Sequence, residues 1–208
     1  MVKMSRFHGR PCSSLLLVFP VMLGALATDL AVAQLPSYDR VRVLEQPRGI
    51  ADAELLDHDG RPFKLSQLQG RVALVLFGFT NCPDVCPLAM ESMQQLRESG
   101  RVNPDEVAFI LISVDGVRDT PPVMKNYLSR FSPDFIGLTD APNVVKPIAR
   151  AFSASFFKGG EGHDGHYTVS HSPQVFVIDR NGRLRAEFYT PSLEAMAGTT
   201  NALLQESP

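Results

Sequence analysis

Apolar positions change their spacing several times along the chain, and each change predicts an element. Val72 to Phe79 is an unbroken apolar run rich in β-branched and aromatic residues, the pattern of a central strand covered on both faces. From Cys86 to Glu98 the spacing becomes helical through Leu88, Met93 and Leu96, with Pro87 in the first turn and Gly100 placed to end the helix. Val107 to Val114 repeats the strand pattern, and Thr120 to Phe131, opened by Thr120 as cap and by Pro121 and Pro122, repeats the helical one. A short strand at Phe135 to Leu138 and a helix at Ala141 to Phe152 follow, then a polar, Gly- and His-rich loop from Phe156 to Ser170. Gln174 to Ile178 and Leu184 to Tyr189 form a hairpin about Asn181-Gly182, and a last helix covers Ser192 to Gln205. Upstream, Ala53 to Leu56 and Pro62 to Leu65 flank Asp59-Gly60, which supplies the turn of another hairpin. Strands alternating with helices, then an antiparallel hairpin and a final helix, describe an α/β domain with a mixed central sheet flanked by helices. That order matches a thioredoxin-like fold with an N-terminal β-hairpin extension.

The first 33 residues follow another logic. Lys3, Arg6 and Arg10 precede an apolar run from Leu15 to Ala27, and Ala31-Val32-Ala33 supplies small residues for cleavage, the order of a secretory signal peptide. The run has 13 residues and includes Pro20 and Gly24, short for a bilayer span. The alternative is an uncleaved N-terminal anchor, the one case in which the protein is membrane-associated, and both readings export the domain to a bacterial-type periplasm. Residues 34–50 carry Pro36 and Pro47 without clear periodicity and read as a linker into the domain at 51–208. Hydrophobic residues make up 44% and charged ones 20%, which excludes wholesale disorder and a polytopic membrane protein. Twenty Lys and Arg against 22 Asp and Glu leave no basic excess for a phosphate backbone, so no nucleic-acid partner is expected. Of three cysteines, Cys12 leaves with the signal, and Cys82 and Cys86 remain in an oxidising compartment.

These two cysteines lie where the central strand ends and the next helix begins, the usual place for ligands on an open α/β sheet. The helix dipole there favours thiolate, so lowered thiol pKa values are expected. Three intervening residues bring both sulfurs to one side of the first turn, where they can close a disulfide or hold one ion. A purely stabilising disulfide would close a loop too short to remove much unfolded-state entropy. Structural zinc needs four ligands, whereas two soft thiolates and one imidazole suit Cu(I). Candidate third ligands in the exported chain are His58, His163, His166 and His171. Of these His171, just before the strand at Gln174, is best placed to approach the cysteine loop across the end of the sheet. Met90 and Met93 are read as core filling rather than thioether ligands for Cu(I), and His163 and His166 as a solvated loop rather than an auxiliary copper-loading site. Arg118 and Asp119 are read as a partner surface or, equally, as an exposed ion pair or helix cap.

The run Phe77-Gly78-Phe79-Thr80-Asn81-Cys82-Pro83-Asp84-Val85-Cys86-Pro87 resembles the cysteine motif of the Sco/SenC family of thioredoxin-like copper proteins. Ser113-Val114-Asp115, Arg118-Asp119-Thr120-Pro121, Gly137-Leu138-Thr139 and His171-Ser172 follow in that family's order. The resemblance implies that Cys82, Cys86 and His171 are copper ligands for Cu(I) or Cu(II) and that the cysteines form a redox-active pair cycling between dithiol and disulfide. It also implies the recipient, the dicopper centre of cytochrome c oxidase subunit II, with a thiol reductant and another periplasmic copper chaperone as further partners. The expected function is a copper metallochaperone rather than an enzyme, delivering copper to that site or preparing it. The alternatives are a thiol-disulfide oxidoreductase that keeps the recipient's cysteines reduced and a copper or redox sensor. Two departures from the family pattern carry expectations. Gly116 replaces a usual proline and should loosen its loop, and Ser170 replaces a common aspartate, removing a charge beside His171 that would tune affinity and redox behaviour.

Overall fold

The computed structural model describes residues 38–161 and 167–206; the expected signal over 1–33 and both His163 and His166 lie outside them. Ten strands and four α-helices are described: β1 Val41–Gly49, β2 Glu54–Asp57, β3 Pro62–Lys64, β4 Val72–Gly78, α1 Val85–Glu98, β5 Val107–Ser113, α2 Pro121–Leu128, β6 Ile136–Thr139, α3 Pro142–Ala151, β7 Phe156–Glu161, β8 Tyr167–His171, β9 Val175–Ile178, β10 Arg183–Phe188 and α4 Leu193–Gln205. Eight strands form one mixed sheet in the order β1-β10-β9-β4-β5-β6-β2-β3, and β7 pairs with β8 in a sheet of their own. β4, β5 and β6 run parallel, whereas β9 lies antiparallel to β4 on one side and β2 antiparallel to β6 on the other. This is the expected thioredoxin-like arrangement, with the β2–β3 hairpin extending one edge. Among the described residues no helix is long and apolar enough to cross a membrane.

The continuous apolarity of β4 has a direct structural cause: every residue of it is buried. Its side chains alternate, so Val72, Leu74 and Leu76 join the cluster containing Met90, Met93 and Leu96 of α1, Met124 of α2 and Met196 of α4. Ala73, Val75 and Phe77 face the opposite cluster, with Val145 and Ile148 of α3 and Phe152 just past it. There Phe77, Phe152 and Phe176 meet edge to face, with centroids 5.2–5.7 Å apart. Each such ring or leucine removed from water contributes about 1.5–3 kcal/mol. Met90 and Met93 are fully buried, which bears out their reading as core.

Two segments depart from the expectations. Much of the stretch read as a linker is the edge strand β1, antiparallel to β10, with its register shifting between Val43 and Arg48. That irregularity and Pro47 hide the strand's period. The segment read as a loop from Phe156 to Ser170 contains β7 and most of β8, paired through Phe156↔His171 and Lys158↔Val169. Only one side of this hairpin packs: Val169 is buried while Phe157 is 64% exposed, so the segment lacks the apolarity that marks a core strand.

Candidate metal centre

Gly78 ends β4, and the chain turns through residues 79–84 before α1 starts. The Cys82 N–H donates to the Phe79 carbonyl at 3.2 Å, tightening that turn. Cys86, in the first turn of α1, is fully buried, and Cys82 is half-buried. Gly78 is dictated by this packing: a Cβ there would lie 2.7 Å from the Cys86 sulfur and 3.2 Å from Leu111. Nothing local in the sequence around Gly78 reveals that cause.

His171 ends β8 on the hairpin. The hairpin's base is tied by Ser172 N–H to Ser155 C=O and by Ser155 N–H to Ser172 Oγ, both 3.0 Å. The His171 Nε2 sits 3.3 Å from the Cys86 sulfur and 3.7 Å from the Cys82 sulfur. Its Nδ1 lies 3.0 Å from the Ser172 carbonyl; because a carbonyl only accepts, Nδ1 carries the proton and Nε2 turns its lone pair to the sulfurs. The three donor atoms all lie within 4.8 Å of one another. Phe79 meets the imidazole edge on, centroids 5.7 Å apart.

Burial sets the resting protonation. Desolvation lowers the His171 pKa, against hydrogen bonds to backbone that raise it, so the neutral, ligating form prevails. Desolvation pushes the Cys86 thiol well up, and its hydrogen bond with Cys82 adds to the rise. This corrects the expectation of a lowered thiol pKa at Cys86: burial outweighs the helix dipole there.

The remaining candidates sort by position. His58 lies elsewhere, its Nδ1 accepting the Gly137 N–H at 3.0 Å. Asp119 is no surface charge but fully buried. Its carboxylate accepts the Thr80 N–H at 3.0 Å, the Thr80 hydroxyl at 2.6 Å and the Ser113 hydroxyl at 2.7 Å, so it ties the cysteine loop to the end of β5. Arg118 pairs with buried Asp115 and donates to the Tyr167 carbonyl at 3.2 Å. Tyr167 in turn donates its hydroxyl to Asp115 at 2.6 Å. Sequence reasoning missed the roles of Asp115, Asp119 and Tyr167; the hydroxyls of Thr80 and Ser113, at the ends of adjacent strands, were the available signal.

Both family departures read differently in place. A Cβ on Gly116 would lie 1.9 Å from the Asp140 carbonyl oxygen, so glycine here permits close backbone approach rather than loosening a loop. Ser170 is exposed, on the opposite face of β8 from half-buried His171, so a side chain there points away from the sulfurs. Beside Cys82 a groove of about 340 Å³ is lined by Thr80, Pro87, Glu91, Gln94, Tyr127, Arg130 and Phe131, giving a partner access to that sulfur.

A thioredoxin-like domain with two thiols and an imidazole at the carboxyl ends of its parallel strands is a thiol or soft-metal protein by construction. The SCO1/SenC family model matches residues 43–204, and the chain belongs to that family. It is 32% identical over 184 residues to the SCO2-like protein of Rickettsia felis, covering 86% of this chain and 90% of the relative. Among solved structures it resembles Bradyrhizobium japonicum ScoI with copper bound, at 32% identity and a TM-score of 0.69, covering 75% of this chain and 99% of the other. BsSco, described as a member of the Sco family of cytochrome c oxidase assembly proteins, shares the fold at 18% identity, with a TM-score of 0.63 and coverage of 80% and 99%.

Proposed function

We propose that this chain is an exported copper metallochaperone that holds the ion through Cys82, Cys86 and His171. It delivers copper to the dicopper site of cytochrome c oxidase subunit II, or prepares that site. The observation that carries the reading is the convergence of two sulfurs and a lone-pair-bearing Nε2 within 4.8 Å. Two soft sulfurs select copper, and one imidazole completes a set too small for structural zinc. Transfer proceeds by ligand exchange: thiolates of the recipient enter over the groove at Cys82, the more accessible sulfur, and replace this chain's ligands in turn. Export is supported by the secretory pattern in residues 1–33.

An anaerobic Cu(I) competition titration tests the reading. One tightly held ion is expected, weakened in His171→Ala and lost in the double Cys82→Ser, Cys86→Ser variant. No competitive binding by the unmodified protein would overturn it. The contrast between half-buried Cys82 and buried Cys86 favours one second reading, a thiol-disulfide reductase. In it Cys82 attacks a disulfide of the recipient, Cys86 resolves the mixed disulfide, the recipient leaves as a dithiol, and an external thiol reductant restores the pair. That activity survives His171→Ala, whereas copper retention falls.

A further inference from the structure

The segment Asp115–Asp119 touches both halves of the site. Asp119 holds the start of the cysteine loop through Thr80, and Asp115 and Arg118 hold the hairpin that carries His171. On β8 the residues Tyr167, Val169 and His171 share one face, by the two-residue alternation of a strand. Val169 is buried in the core cluster beneath the hairpin. Tyr167, four residues before the imidazole, donates its hydroxyl to Asp115 at 2.6 Å, and its carbonyl accepts from Arg118 at 3.2 Å. The Arg118 guanidinium also stacks on the Tyr167 ring at 3.8 Å and reaches the Phe79 ring at 5.8 Å. Phe79 is the ring that abuts His171. Asp115 is 3% exposed, so both interactions converge on a carboxylate shielded from water, where they are stronger than on the surface.

We infer that Asp115, Arg118 and Tyr167 are positioning residues for His171: they fix its Nε2 over the cysteine pair and so set how strongly the site holds Cu(II) relative to Cu(I). The inference rests on the copper reading above. Its asymmetry comes from ligand chemistry. Two sulfurs supply most of the hold on Cu(I), a soft ion content with few ligands, so the imidazole adds only modestly there, whereas Cu(II) depends on the nitrogen donor. Loosening the hairpin takes away the imidazole and leaves the sulfurs where α1 and β4 put them.

Tyr167→Phe keeps the ring and removes only the hydroxyl. Competition titrations of both oxidation states should show Cu(II) affinity reduced about tenfold and Cu(I) affinity unchanged within about threefold. The Cu(II) absorption and electron paramagnetic resonance spectra should shift with the loss. In the His171→Ala background Tyr167→Phe should cost no further Cu(II) affinity, an outcome that a general loss of stability would not produce. Asp115→Asn, whose amide oxygen still accepts from the Tyr167 hydroxyl, should retain more Cu(II) affinity than Asp115→Ala. In the metal-free protein, amide exchange along β8 should quicken in Tyr167→Phe while that along β4 stays unchanged. Unchanged β8 exchange, equal losses for the two oxidation states, or additivity with His171→Ala would each overturn the inference while leaving the copper reading standing. Absence of any copper binding by the unmodified protein would overturn both.

Discussion

The two halves of the site are built by different means. The cysteine half hangs from β4, which is buried along its whole length, and from α1, whose Met90, Met93 and Leu96 are fully buried. The histidine half sits on a two-stranded hairpin with Val169 inserted beneath it and hydrogen bonds at either end. Core packing cannot be removed from the first half without unfolding the domain, whereas the second can open locally at much lower cost. A site built this way has its sulfurs held by the core and its nitrogen donor held by a few contacts at the ends of a hairpin.

Substitutions on the cysteine side should therefore be felt throughout the domain. Gly78→Val drives a branched side chain into the Cys86 sulfur and Leu111. It should cost about 3 kcal/mol in urea denaturation, as overpacking does, and displace the buried thiol so that copper retention falls too. Native stability with full retention would contradict this account. Asp119→Ala comes next, leaving the Thr80 N–H, the Thr80 hydroxyl and the Ser113 hydroxyl without their acceptor; about 2–4 kcal/mol is expected. The same carboxyl gives a pH signature. Burial raises its pKa, against hydrogen bonds from Thr80 and Ser113 that lower it. A carboxyl whose native pKa lies above its unfolded value loses stability as pH rises from the unfolded value, about 3.9, through the native one. Unfolding midpoints should thus show the native protein's margin over Asp119→Asn narrowing with rising pH across that window, and a margin that widens would reverse the assignment.

The histidine side should respond locally. Ser172→Ala removes the acceptor of the Ser155 N–H at the hairpin's base and should change global stability by about 1 kcal/mol or less. Amide exchange in β7 and β8 should nonetheless quicken. A global loss as large as that of Asp119→Ala would erase the distinction between the halves.

This division also explains what could be seen in the sequence. β4, β5 and α1 were legible because residues buried on both faces or along a stripe leave a periodic trace. The convergence of Cys82, Cys86 and His171 was legible through donor chemistry and the placement of their segments at one end of the sheet. β1 was hidden by Pro47 and a shifted register, and β7 and β8 by a hairpin that packs on one side only. Arg118-Asp119 looks like an exposed charged pair in sequence. That Asp119 faces inward depends on Thr80 and Ser113, 39 and 6 residues away along the chain, and no local pattern encodes that distance. The close approach of Gly116 to Asp140 likewise exists only once the loops have met.

The edge position of β1 bears on how the margin of the large sheet is closed. Its pairing with β10 occupies backbone groups that would otherwise form an open ladder at the margin of the eight-stranded sheet. β1 itself carries Arg42, Glu45, Pro47 and Arg48 with an interrupted register, features that discourage another strand from adding on. A chain trimmed to start at residue 51 would bare β10, whose Leu184, Ala186 and Phe188 are otherwise buried, and should self-associate in a concentration-dependent way visible by light scattering.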